Sequence, residues 1–144
     1  MFESCSWHNE PRQWSIEART LAVRSDENTD FWRDTYYGFT RDSGHFFGRD
    51  WEGDFTASLR IQGRYQALYD QAGIMVRIDE QNWIKAGIEL SDGAACLGSV
   101  LTLERSDWST SPYAGDPSDF YLRVTVQAGV LRLQMSADGR RWPL

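Results

Sequence analysis

Residues 73–89 read GIMVRIDEQNWIKAGIE, and their alternation decides the fold class. In the first half Ile74, Val76 and Ile78 fall on one side, with Met75, Arg77 and Asp79 on the other. In the second half Ile84, Ala86 and Ile88 oppose Trp83, Lys85 and Glu89. Successive side chains leave an extended backbone on opposite sides, so this period of two predicts strands with one face in a core. Glu80-Gln81-Asn82 is a short connection that pairs the two strands antiparallel.

The same pattern recurs on both sides of this block. Upstream, Phe55, Ala57, Leu59 and Ile61 alternate with polar residues between Gly53-Asp54 and Gly63, and residues 14–18 and 21–23 read as an opening hairpin. Downstream, Ser91-Asp92-Gly93 is a turn, residues 98–103 a strand and residues 108–119 an ordered loop. Leu122, Val124 and Val126 then alternate before Gln127-Ala128-Gly129 turns into a strand over 130–136. Asp138-Gly139 predicts a hairpin turn leading to Trp142. The aromatic stretch 29–48 reads as two strands around Arg41-Asp42-Ser43-Gly44. Many short strands divided by turns, with no internal repeat or linker, predict a single all-β domain over residues 1–144, a sandwich or a barrel.

Composition narrows the function classes. With 144 residues, 41% hydrophobic and 14% aromatic, the chain can bury a core without a metal or a disulfide. Its 21 acidic against 15 basic residues leave a formal charge of −6, which repels nucleic acid and anionic membranes. No apolar run reaches the ~20 residues of a membrane-spanning helix. The first 25 residues carry Glu, His and Arg where a secretory leader needs an apolar stretch, so a cytoplasmic protein is expected. Cys5 and Cys96 form no CxxC pair and read as ordinary thiols. His8 and His45 are the only histidines, and Gly44, Gly48 and Gly53 are too scattered for a phosphate loop, so no metal or cofactor is predicted.

The informative chemistry lies on the polar side of the 73–89 pair. Met75, Arg77, Trp83, Lys85 and Glu89 combine an aromatic platform, two cations and a carboxylate, which is what a sugar ring and its hydroxyls require. Cross-strand Lys85–Glu89 or Arg77–Glu89 pairing on a solvated sheet accounts for the same residues. Tyr69-Asp70-Gln71 and Ser106-Asp107-Trp108 are polar-aromatic loop ends suited either to rim such a face or to cap turns. Trp32, Tyr37 and Trp108 fit a core as well as a rim, and His45 fits a hydrogen-bonding role in a sheet or a binding one. Catalysis is not favoured. No G-x-S-x-G elbow accompanies Ser43, and adjacent Asp42, Ser43 and His45 cannot reach triad geometry. Asp79-Glu80 sends its carboxylates to opposite sides, and cations beside Glu89 unfit it as a general acid.

TDFWRDTYYGF (29–39), DSGHFFG (42–48), GDF (53–55), YDQAGIMVRIDEQNWIKAGIE (69–89), SDWS (106–109) and SADGRRW (136–142), taken in order, resemble the little-characterised regulation-of-enolase-like domain family. That family lies within the concanavalin A-like lectin/glucanase superfamily. The resemblance covers nearly the whole chain and departs at position 36, Tyr here where the family commonly has His. It implies an all-β, two-sheet antiparallel jelly-roll sandwich whose curved sheet makes a concave face, the place where superfamily relatives bind glycans. On that face Arg77, Trp83, Lys85 and Glu89 would hold a saccharide or sugar phosphate, with Tyr37, His45, Asp70, Gln71 and Trp108 around them. A cytosolic protein-interaction or regulatory module is the second reading, and a carbohydrate-active enzyme the third. Relatives run on into further strands, so the resemblance also implies that this domain lacks the family's last strands. An exposed sheet edge is then expected, through which the chain pairs with a copy of itself or with a partner.

Overall fold

The computed structural model describes residues 2–143, and among them every regular element is a strand. In chain order these are β1 (Ser6–His8), β2 (Gln13–Glu17), β3 (Thr20–Arg24), β4 (Phe31–Arg33), β5 (Thr40–Asp42), β6 (Phe46–Gly48) and β7 (Phe55–Gln62). They continue as β8 (Gln71–Arg77), β9 (Asn82–Ser91), β10 (Ala94–Leu103), β11 (Arg105–Pro112), β12 (Asp119–Gln127) and β13 (Val130–Ser136). The fold is an all-β antiparallel sandwich of the jelly-roll kind. No helix among the described residues is long and apolar enough to cross a membrane. The chain divides into two compact units, one running to Trp51 and including Glu104–Ser106, the other made of Glu52–Leu103 and the residues from Asp107 onward.

The second unit holds the two larger sheets, ordered β11-β10-β9-β8 and β13-β12-β7. Their tight connections use a left-handed backbone: Asp92 and Gly93 between β9 and β10 and Gly129 between β12 and β13 accept it readily, while Ala128, also at positive φ, donates its N–H to Asp54 Oδ1 at 3.0 Å. The core forms where the alternating apolar faces meet. Ile61, Phe120 and Leu122 from the three-stranded sheet close on Ile88, with Ala72, Ile74, Ala95 and Leu97 packed around them. Ile74 and Ile88 therefore do face the interior. Ile78 does not: β8 ends at Arg77, and Ile78 is 84% exposed in the four-residue turn to β9. There its N–H donates to Asn82 O, and the Asp79 carboxylate accepts from the Gln81 N–H at 2.7 Å and the Asn82 amide.

The first unit is built from two-stranded ribbons, β1-β6, β2-β3 and β4-β5. Phe31 and Trp32 are its most buried apolar side chains, and Trp7 packs against Phe47 at 4.8 Å and edge-on to Trp14 at 5.5 Å between ring centres. The opening hairpin is present as β2-β3. The aromatic stretch differs from expectation, since its turn lies over residues 34–39 between β4 and β5 rather than at 41–44. Positive φ at Asp34, Tyr36 and Gly38 reverses the chain inside the aromatic run itself. Two further expectations are corrected. Residues 108–112 belong to strand β11 and not to a loop, and among the described residues no strand follows the turn at Asp138. Instead the Asp138 carboxylate accepts from the N–H groups of Arg140 and Arg141, and Trp142 lies under the Arg123 guanidinium at 4.3 Å.

Candidate functional site

Strand register brings the charged and aromatic candidates together. Across β8 and β9, Gln71 lies opposite Glu89, Gly73 opposite Gly87, Met75 opposite Lys85 and Arg77 opposite Trp83. Across β9 and β10, Cys96 faces Glu89, Gly98 faces Gly87, Val100 faces Lys85 and Thr102 faces Trp83. Arg77, Trp83, Lys85, Glu89 and Gln71 thus share the side of the sheet turned away from Ile74 and Ile88. What the alternation did not reveal is the state of that side. Trp83 is only 4% exposed, Glu89 7%, Val100 2% and Thr102 0%. An indole so enclosed offers no free face for a sugar, and the Lys85 ammonium sits 5.9 Å from its ring centre. Glu89 folds over Gly98, where an added Cβ would stand 3.3 Å from its Oε2. Enclosure is confined to part of this face: Met75, Arg77 and Lys85 are half-buried and Gln71 is exposed. Burial, Glu89 and Asp92 together push the Cys96 thiol up, against the reactive thiolate form.

The loop-end candidates are held by their own backbone. Asp70 accepts from the Gln66 and Ala67 N–H groups at 2.7 and 2.8 Å, a turn cap that occupies its carboxylate. Gln71 donates from its side chain to Tyr69 O at 3.3 Å. Trp108 stands on β11 and meets Tyr69 edge-on at 6.3 Å.

His45 is a cross-link in the first unit. Its Nε2 accepts from the Asp26 N–H at 3.0 Å, which puts the ring proton on Nδ1, and Nδ1 donates to Asn9 O at 2.6 Å. One ring thereby joins three segments of the chain. Sequence reasoning missed His8, which stacks on Phe31 and sets Nε2 3.2 Å from Asp42 Oδ2. Its signal was too weak to find, because the pair is 34 residues apart in sequence. Tyr37 belongs to a ridge on the β4–β5 loop, 6.1 Å from Tyr36 and stacked on Phe39 at 5.3 Å. Tyr36 is 86% exposed, Tyr37 50% and Phe39 38%. No group of three or more His, Cys, Asp or Glu among the described residues could hold a metal ion.

The family described as "Protein of unknown function (DUF1349)" matches residues 7–144. A Saccharomyces cerevisiae protein named "Regulation of enolase protein 1" is 59% identical over 139 residues, which is 96% of this chain and 70% of that protein. The crystal structure of a functionally unknown protein from Saccharomyces cerevisiae matches with a TM-score of 0.95 and 57% identity, over 99% of this chain and 77% of that one.

Proposed function

We propose, on the premise that this chain belongs to the DUF1349 family of unknown function, that it is a non-catalytic regulatory module that binds a protein partner along the edge of β7. The observation that carries this is the state of that edge. β7 is an outer strand of its sheet, paired to β12, and residues 56–60 are all exposed. The charge of Arg60 is engaged by Asp119, so Thr56, Ala57, Ser58 and Leu59 present a neutral strip. Soluble proteins guard long edge strands with charge, proline or a bulge, and a bare one is suited to accept an incoming strand. The side chains that acid–base chemistry would use are already occupied: Asp70 and Asp79 by turns, Asp119 by Arg60, His45 by two backbone groups. A relative named for regulation of enolase makes enolase, in a cytosolic setting, the first partner to test.

The saccharide or sugar-phosphate reading stands second. In its favour is the register that aligns Arg77, Trp83, Lys85 and Glu89; against it is the enclosure of Trp83.

Hydrogen exchange of the chain with and without purified enolase tests the first reading, alongside sedimentation of the mixture. Protection of residues 56–60 on complex formation is the expected result. Absence of a complex, or a complex that leaves these amides unprotected, overturns it. Protection that rises with the concentration of the chain alone makes the occupant a second copy and overturns the assignment to another protein.

A further inference from the structure

The side of the β13-β12-β7 sheet turned away from the core is basic, although the chain as a whole carries a formal charge of −6. Register sets Arg60 opposite Tyr121, Gln134 opposite Arg123 and Arg132 opposite Thr125 on this side. Asp119 is the one carboxylate that the three strands place there, and Arg60 and Gln62 already engage it. Residues 139–143 then cross the face as a strap. An added Cβ at Gly139 would stand 2.9 Å from the Tyr121 ring, and Trp142 lies under the Arg123 guanidinium at 4.3 Å. The Gln134 amide, only 8% exposed, fastens the strap by donating to Trp142 O and Pro143 O at 3.1 Å each. Arg140 and Arg141 arrive with it, both exposed.

The pairing of Arg123 is unfinished. Its Nε and Nη2 both donate to one neutral oxygen, Gln134 Oε1, at 3.2 and 2.8 Å. A guanidinium has five N–H donors in a fork that matches a carboxylate, and a half-buried one is costly without an anion. Neither Arg123 nor Arg132 has a carboxylate partner among the described residues.

We propose that this face binds an extended acidic segment of a protein partner, with carboxylates at alternate positions. Charge decides the sign of the occupant and spacing decides its shape. Arg123 and Arg132 are diagonal neighbours on antiparallel strands, a separation of about 7–8 Å. Alternate residues of an extended chain are about 6.6 Å apart and point the same way, so two of its carboxylates meet the two guanidinium groups. A nucleic acid would carry its phosphates beyond this face onto the acidic remainder of the surface, whereas a short acidic segment ends with the patch. The site shares a sheet with the β7 edge but needs no strand addition, so the two readings stand or fall separately.

The test is fluorescence anisotropy of a labelled six-residue peptide of alternating Glu and Thr, titrated with the whole chain. Saturable binding is expected, weakening as salt is raised. Arg132→Gln should lower the affinity about fivefold, and Arg123→Gln should lower it further. Arg132 is exposed and Arg24 lies on β3, so Arg132→Gln should fold as the parent does and Arg24→Gln should bind as the parent does. No saturable binding, equal binding of the Lys-Thr counterpart, or undiminished affinity in Arg132→Gln overturns the proposal. Inorganic phosphate that displaces the peptide at equal concentration makes this a small-anion site and overturns it too. Amide protection of residues 56–60 by the peptide would place it on β7 instead and likewise overturn it.

Discussion

Replacing Trp83 with Ala separates a structural from a ligand-stacking indole. The side chain is 4% exposed, flanked by Thr102 on β10 and Arg77 on β8, with the Lys85 ammonium 5.9 Å from its ring. Removing a buried tryptophan costs about 3–5 kcal/mol, through lost transfer energy and an incompletely collapsed cavity. At an unfolding entropy of about 2.1 cal/mol/K per residue, a chain of 144 residues shifts by roughly 3 °C for each kcal/mol. The expected fall in melting temperature, followed by circular dichroism, is therefore about 10–15 °C. Trp83→Phe keeps much of the volume and should lose less than half of that. Lys85→Met removes the ammonium beside the ring but keeps the aliphatic stem, and should cost less than Trp83→Ala. If Trp83→Ala melts within ~2 °C of the parent, the indole is not part of the interior, the register reasoning fails, and the stacking role regains its standing.

Gly87→Ala should be more damaging than its size suggests. The added Cβ would stand 2.0 Å from Ala72 O and 2.6 Å from Gly73 Cα, so strand backbone must move, and a loss of about 3 kcal/mol in urea unfolding is expected. Unchanged stability would show that β8 and β9 do not approach as described. Acid should weaken the fold through Asp119 and Asp138. The hydrogen bond and charge of Arg60 hold Asp119 below the usual carboxylate range, and the Arg141 and Arg140 N–H groups do the same for Asp138. Folding favours their charged forms, so this stabilisation is complete above about pH 4 and disappears as pH falls through the lowered values. Asp138→Asn and Asp119→Asn should flatten the acid limb of a melting-temperature profile; an unchanged limb counts against both contacts. At the alkaline end, burial pushes Tyr65 up to about 12. Its neutral form is favoured by folding, so that contribution is intact below pH ~10 and lost on the way to 12. The hydroxyl has no hydrogen-bond partner among the described residues, so Tyr65→Phe should be neutral or stabilising by up to ~1 kcal/mol. It should also remove the slowest-titrating tyrosine from an ultraviolet titration, and persistence of that tyrosine would reassign it.

Fold class was legible where alternation ran long enough to repeat. β7, β9, β12 and β13 stand where period two placed them, β8 runs over 71–77 rather than 73–79, and Asp92, Gly93 and Gly129 carry the left-handed backbone such turn residues favour. The pattern also put Arg77, Trp83, Lys85 and Glu89 on one face. It could not say whether that face meets water, because alternation distinguishes two sides of a strand and not what lies beyond them. The β4–β5 turn was illegible for a different reason. Tyr36 and Tyr37 are residues that strands favour, and the hydrogen bonds that Trp32 donates to Thr35 O and that Thr35 and the Arg33 N–H donate to Ser106 override that preference. His45 and His8 act across 36 and 34 residues of sequence, a distance over which no local pattern carries information.

The Trp7–Trp14 contact has a spectroscopic consequence. Two indoles 5.5 Å apart and inclined at 66° have transition dipoles close enough and oblique enough to mix. They should split into an exciton couplet in the far ultraviolet. Trp7 belongs to β1 and Trp14 to β2, so the couplet would vanish if the first strand peeled away, even while the backbone signal of the larger sheets persisted. The amino-terminal segment carries its own optical gauge of attachment, with no label needed.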